Sequence, residues 1–201
     1  AGHGGKDPGA TAGSTYEKNI NLSFSKYLLN AMRNKFKDIQ ILLSREDDTF
    51  ISLENRVVFS NSRNTSKNTG LFISIHANSS PFSTKASGFE IYFLDYNLAD
   101  EKIKDLVKKE NLDTEDNEIN LYINRLLNEE LIYESELLAK YIFEYYSSYE
   151  KSIKAKKVLG APFYVLAYNQ VPSILIEMGY MSNKNDLKNM QSEQYKSNLA
   201  L

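Results

Sequence analysis

The apolar residues of this chain recur at two periods. Ile20, Phe24, Tyr27, Leu28 and Ala31 fall at helical spacing, and Leu53, Val57, Val58 and Phe59 suggest a second, shorter helix. Ser14 followed three residues later by Glu17 reads as a capping box at the start of the first helix. Between and after these stand short apolar runs: IQILL (Ile39 to Leu43), LFISI (Leu71 to Ile75), FEIYF (Phe89 to Phe93), PFYVL (Pro162 to Leu166) and SILIE (Ser173 to Glu177). Runs of that length predict buried strands. Their alternation with helices predicts an α/β sheet covered on both faces.

The stretch from Leu98 to about Glu118 breaks this rhythm. Ala99, Ile103, Leu106 and Val107 predict a short helix, which runs into Asp113, Glu115, Asp116 and Glu118. A long helix follows, with Ile119, Ile123, Leu126, Leu127, Leu137, Leu138, Tyr141 and Ile142 on its apolar side. At about twenty residues the 98–118 segment is longer than an ordinary connection and reads as an insertion. The polar SNKND leads into a C-terminal helix from about Asp186.

Composition narrows the chemistry. The 201 residues are 42% hydrophobic and 25% charged, as in a globular chain of one domain. There is no cysteine, which removes disulfides, cysteine-ligated zinc and thiol catalysis together. A net charge of −2 leaves no electrostatic footprint for nucleic acid, and no apolar run approaches a membrane span. No signal peptide stands in the sequence. Only two histidines are present, His3 and His76, so any imidazole chemistry uses one or both.

His76 follows the run LFISI and Glu177 ends SILIE. In α/β sheets ligands gather at the carboxyl ends of strands, so both side chains are expected at one edge. His3 lies in a loop with five glycines in fifteen residues, able to approach that edge closely, and Glu17 stands just beyond it. The loop fails the phosphate-loop pattern, because Lys6 is followed by Asp7 rather than Ser or Thr. Two histidines and one glutamate form a recognised catalytic zinc set with a fourth position left for water. Blander readings stand beside this one: a structural His76, an inert His3, a capping Glu17 and a salt-bridged Glu177. The long spacings between these residues do not decide among them.

The blocks GHGGKDPGA, YEKNINL, LSREDD, FISIHAN, GFEIYF and ILIEMGYMSNKND, in this order from Gly2 to about Tyr195, resemble the zinc-dependent N-acetylmuramoyl-L-alanine amidases of bacterial cell-wall turnover. The resemblance implies His3, Glu17 and His76 as zinc ligands, Glu177 as the catalytic glutamate, and Asn78 and Arg45 as supporting residues. It implies one amidase domain over residues 1–201, with a mostly parallel, twisted sheet of about six strands flanked by helices. It also implies hydrolysis of the amide between N-acetylmuramic acid and L-alanine in peptidoglycan, with Glu177 as general base and then acid.

Two departures from the family accompany it. A strand ending in Asp-Pro-Gly normally precedes the first histidine, whereas here only Ala1 and Gly2 do, so the first strand is expected to be missing. The insertion at 98–118 is similar to that of cell-separation amidases, in which a regulatory helix covers the zinc. That likeness implies Glu110 as a reversible blocking residue, an activator protein that relieves the block, and action in the periplasm or cell envelope. The rival functions are another zinc peptidase acting on cell-wall peptides and an inactive peptidoglycan-binding module. No His-x-x-Glu pair favours a carboxypeptidase, and no ligand is lost as an inactive module would require.

Overall fold

The computed structural model of the chain describes residues 1–65, 70–96, 101–111, 129–148 and 154–200. A two-rung hairpin, β1 (Thr11–Ala12) and β2 (Thr15–Tyr16), leads into α1 (Glu17–Lys35) and then α2 (Leu53–Asn61). Strands β3 (Phe72–Asn78) and β4 (Phe89–Phe93) precede α3 (Glu101–Glu110) and α4 (Glu129–Ser148). Then come β5 (Ala155–Gly160), the short α5 (Tyr164–Ala167), β6 (Ser173–Tyr180), α6 (Lys184–Gln191) and α7 (Glu193–Leu199).

The main sheet has four strands in the order β3-β6-β4-β5. β3 and β6 are parallel, β4 runs antiparallel to β6, and β5 is parallel to β4. Alternation along each strand sends its side chains to opposite faces. One face buries Ile75, Ile91, Ile174, Ile176 and Met178 with Ile20 and Phe24 of α1 and Ala139 and Tyr146 of α4. The other packs Tyr92 and Leu175 with Val57 of α2, Val107 of α3, and Val165 and Leu166 of α5. The expected α/β sheet flanked by helices is thus present, with four strands where the resemblance implied about six.

Three local expectations give way. The run Ile39 to Leu43 is not a strand, and Ile39 and Leu42 are exposed. A strand needs a ladder partner. At the outer edge of β3 the Gly2 amide already donates to the Ile75 carbonyl, and no described strand lies beside 39–43. The run Pro162 to Leu166 turns instead into α5, where Val165, Leu166 and Ala167 are buried. A short apolar run buried on all sides carries no period that separates strand from helix. Finally, Ser14 does not cap α1: its N-cap is Tyr16, with no side-chain capping bond, and Glu17 is the first helical residue.

Strand direction corrects one more point. Because β4 is antiparallel to β6, its Phe93 end points away from the carboxyl edge of β3 and β6. After β4 the last turn of α3 carries Glu110 back to the site. Ala99, Asp113 to Glu118, Ile119, Ile123, Leu126 and Leu127 lie outside the described residues.

Candidate metal centre and active site

The polar positions of the second sheet face form a row across three strands. His76 on β3 is the register partner of Glu177 on β6, and Glu177 is the partner of Glu90 on β4. All three are buried. β3 and β6 continue past this row, so the site lies on the sheet face near the carboxyl ends rather than beyond them.

Glycine brings the N-terminal loop onto the row. A Cβ on Gly2 would lie 2.3 Å from the His76 ring, so only glycine lets the backbone pass there. Gly9, at φ +64°, would meet the His3 ring at 2.6 Å and the Glu17 carboxylate at 2.7 Å. The loop therefore folds directly over the imidazoles. His3 itself has φ +55°, and it is the non-glycine residue with positive φ among those described.

His3, Glu17 and His76 converge, with one donor atom from each lying within 4.8 Å of the others. Glu17 Oε1 is 3.0 Å from His3 Nε2 and 3.1 Å from His76 Nδ1. A tetrahedral centre with bonds of ~2.0–2.1 Å spaces its ligand atoms by roughly 3.3 Å, so these gaps match a closely drawn ligand set. The blander reading of Glu17 as a helix cap does not survive, because its carboxylate faces the two imidazoles.

The surrounding groups prepare the same atoms. His3 Nδ1 pairs with Asp7 Oδ2 at 2.7 Å, while Nε2 is buried without a hydrogen-bond partner. A carboxylate on one ring nitrogen fixes the tautomer that leaves the other free to ligate. Glu17 Oε2 accepts the Ala10 amide at 2.8 Å, and Oε1 accepts the Ala77 amide and Asn21 Nδ2, both at 3.1 Å. Two imidazoles, one carboxylate, an orphaned buried ring nitrogen and a supporting shell of donors fit a zinc ion.

The fourth side of this set is filled from α3. Glu110 Oε2 lies 3.5 Å from His3 Nε2 and 3.4 Å from His76 Nδ1, with its side chain only 7% exposed. Lys109 Nζ is 3.4 Å from Glu110 Oε1 and 4.0 Å from Glu17 Oε2. Asn111 at the end of α3 donates to the Pro162 carbonyl and accepts the Tyr164 amide, which ties that helix end to α5. A cavity of about 400 Å³ adjoins the centre, lined by Phe50, Ile51, Leu53 and Val165 as well as by His3 and Glu110.

The electrostatics follow from these distances. Burial alone would lower the His3 pKa, but Glu17, Asp7 and Glu110 overcome it and raise it to about 10. Burial would raise Glu17, yet the two imidazoles hold its carboxyl well below the usual range. Glu177 moves the other way: burial first, then the charges of Glu17, Glu110 and Glu90, push its carboxyl well above the ordinary value. Glu177 Oε2 is buried with no hydrogen-bond partner. A carboxyl held up in this way beside a candidate centre suits proton transfer near neutral pH.

Several companions were not legible from spacing. Glu90 Oε2 accepts the Tyr92 hydroxyl at 3.1 Å, the Tyr180 hydroxyl at 3.0 Å and Asn78 Nδ2 at 3.4 Å. Asn78 thus touches Glu90 rather than the imidazoles. Burial and the neighbouring Glu90 push the Tyr92 and Tyr180 hydroxyls up, so both remain donors. The only signal for Glu90 was an acidic residue inside an otherwise apolar run. Asp7, four residues after His3, and Arg56, inside the second helix, carried no local signal. Arg45 donates to the Gly2 carbonyl of the N-terminal loop and to the Lys18 carbonyl of α1 rather than to the imidazoles or Glu17.

A sheet face over which two imidazoles and a carboxylate converge beside a second carboxyl with one unpartnered oxygen is the frame of a hydrolase. The chain belongs to the N-acetylmuramoyl-L-alanine amidase family, whose model matches residues 1–201. It is accordingly an amidase acting on peptidoglycan. A protein of Buchnera aphidicola subsp. Baizongia pistaciae assigned to the same activity is 34% identical over 202 residues, which is 98% of this chain and 87% of that protein. The crystal structure of the N-acetylmuramoyl-L-alanine amidase from Clostridium difficile 630 is similar with a TM-score of 0.68 at 27% identity. It covers 99% of this chain and 87% of that one. The CwlD amidase from Clostridioides difficile, solved in complex with the GerS lipoprotein, is similar with a TM-score of 0.71 at 25% identity, over 99% of this chain and 89% of that one.

Proposed function

We propose that this chain is a zinc-dependent amidase that cuts the bond between the lactyl group of N-acetylmuramic acid and L-alanine of the stem peptide. The observation that carries the reading is the convergence of His3, Glu17 and His76 within 4.8 Å on the sheet face that holds Glu177. His3 through Nε2, His76 through Nδ1 and Glu17 through Oε1 would hold the ion. Bound zinc would supply a water acidified to a pKa of about 7 and a Lewis acid for the amide carbonyl.

The chain's own residues do the rest. Glu177 accepts a proton from the attacking water as its oxygen bonds to the carbonyl carbon, then delivers that proton to the leaving nitrogen of alanine as the C–N bond breaks. Asp7 and Arg45 hold the centre from outside, and Asn78 braces Glu90 beside Glu177.

The arrangement of Glu110 supports a second element of the reading: α3 is a regulatory segment, and Glu110 blocks the position that a catalytic water needs. The block is reversible, and an activator protein would open it by binding the open form better. In the similar CwlD amidase the solved complex contains a lipoprotein. We read the whole of residues 1–201 as one catalytic domain acting at the cell envelope in wall remodelling or cell separation. Among the described residues no helix is long and apolar enough to cross a membrane.

Digestion of purified muropeptides tests the activity. The expected products are free N-acetylmuramic acid ends and peptides beginning with L-alanine, lost on chelation and restored by zinc. Cleavage within the stem peptide would replace this reading with a peptidase.

A further inference from the structure

The N-terminal loop that carries His3 is bonded to α1 and to Asp48 beyond residue 4, and at residues 1–3 two buried side chains hold its carbonyls. Its ladder contact with β3 is the single bond from the Gly2 amide to the Ile75 carbonyl. The next support comes from Arg45 and Arg56, which are 3% and 5% exposed. Arg56 donates through Nη1 to the Ala1 carbonyl, through Nη2 to the His3 carbonyl at 2.8 Å, and through Nε to the Ile51 carbonyl at 3.0 Å. Arg45 Nη2 donates to the Gly2 carbonyl and to the Lys18 carbonyl, both at 2.8 Å, and Nη1 reaches the Asp47 carbonyl at 2.8 Å.

Three consecutive carbonyls, of Ala1, Gly2 and His3, are therefore satisfied by two buried cations. One nitrogen of Arg45 also joins the residue before His3 to the residue after Glu17. Burying two guanidiniums near each other, with carboxylates such as Asp7 only at longer range among the described residues, is unfavourable, and an ordinary turn would need neither. Their geometry has a specific consequence. The forks fix the backbone on both sides of one metal-ligand candidate and tie it to the backbone of another, while Asp7 fixes the ring. Without them His3 would keep the Asp7 contact on its ring and the Gly2–Ile75 bond before it, but its own carbonyl would lose the Arg56 donor that helps hold a positive-φ conformation non-glycine residues adopt rarely.

We propose that Arg45 and Arg56 are positioning residues that set the His3–Glu17 spacing of the centre, and so its affinity for zinc. This rests on the metal-centre reading above. A lysine at either place keeps the charge but is a point donor and cannot reproduce a planar fork that spans separate carbonyls.

The test uses the full chain and zinc ion itself. Zinc affinity is measured by competition with a chelator for the wild type, Arg56→Lys, Arg56→Gln and Arg45→Lys. Far-UV circular dichroism and thermal unfolding of the metal-free forms report the fold. The absorption spectrum of the cobalt-loaded forms reports the ligand geometry. Affinity is expected to fall ~10–100-fold in each folded variant, the usual effect of losing an outer-shell partner, with an altered cobalt spectrum. The lysine variants should fail to rescue. Wild-type affinity and spectrum in folded Arg56 variants would overturn the proposal. Should both Arg56 variants unfold, Arg45→Lys decides in the same way. If the wild-type chain binds no zinc, the metal-centre reading falls first, which is a different result from normal binding with unchanged variants.

Discussion

Two buried carboxylates at the site, Glu17 and Glu177, are pushed in opposite directions, and their proposed roles follow that difference. Glu17 lies between imidazoles and amide donors that favour its charged form. Glu177 is buried among other carboxylates, without a hydrogen bond to one of its oxygens. Glu177→Gln should leave zinc affinity and fold intact while cutting turnover by ~10²–10⁴, the worth of a positioned proton-transfer group. Near-normal turnover with metal bound would remove Glu177 from the reaction. Glu17→Ala should instead abolish tight zinc binding. It should also destabilise the metal-free protein, by ~1–3 kcal/mol for each buried donor left unpaired, the Ala10 and Ala77 amides among them. Chemical denaturation of the metal-free variant measures this. No loss through a helix cap is expected, because Tyr16 occupies that position and makes no capping bond.

At the scale of elements, α3 covers the imidazoles, and on the proposed reading it controls access to the site. Its apolar residues Ile103, Leu106 and Val107 pack with Tyr92, Phe163 and Leu166, which seats Glu110 over the imidazoles. If closed and open forms stand at roughly 99:1, the bare enzyme shows ~1% of its full rate. Glu110→Ala should then raise basal hydrolysis of purified peptidoglycan, by up to ~100-fold at that ratio, while zinc stays bound. An unchanged basal rate would reduce α3 to a structural cover. The elements also show what a single sequence carries. The helical periods of α1 and α2 and the runs that became β3, β4 and β6 were legible because each is long enough to show a period or is bounded by turn residues. Pro162 to Leu166 was not, since four apolar residues buried on every side look alike in either state. Composition predicts a strand over Ile39 to Leu43, but pairing is a property of neighbours, which composition does not contain. His3, Glu17, His76 and Glu177 stood out because histidine is scarce and the blocks around them are specific. Glu90, Asp7 and Arg56 did not, because buried polar side chains are recognised by their partners, and those are set by the fold.

Over the whole molecule, the sheet gathers Glu17, Glu90, Glu177 and, from above, Glu110 around two imidazoles, and this concentration of carboxylates links stability to pH. Burial by itself lowers the His3 pKa, but Glu17, Asp7 and Glu110 raise it from 6.5 to about 10 in the metal-free protein. A raised imidazole stabilises the fold fully below its unfolded value near 6.5, and that stabilisation is lost as the pH climbs to about 10. Glu17, held well below its usual 4.5, acts in the opposite sense: its contribution is present above 4.5 and fades as the pH falls under it. The His3 and Glu17 contributions are therefore both complete at about pH 4.5–6.5, and the His3 contribution to the stability of the metal-free protein should decline from there to about pH 10. On the proposed reading zinc takes the His3 lone pair that the proton occupies, so zinc affinity should strengthen over the same interval in which the His3 contribution to the metal-free fold weakens. Thermal unfolding of chelator-treated and zinc-loaded protein across that range measures both at once. The two curves should diverge steadily toward alkaline pH. Parallel curves would mean that His3 and zinc do not compete for one nitrogen, and the centre would have to be sought elsewhere in the chain.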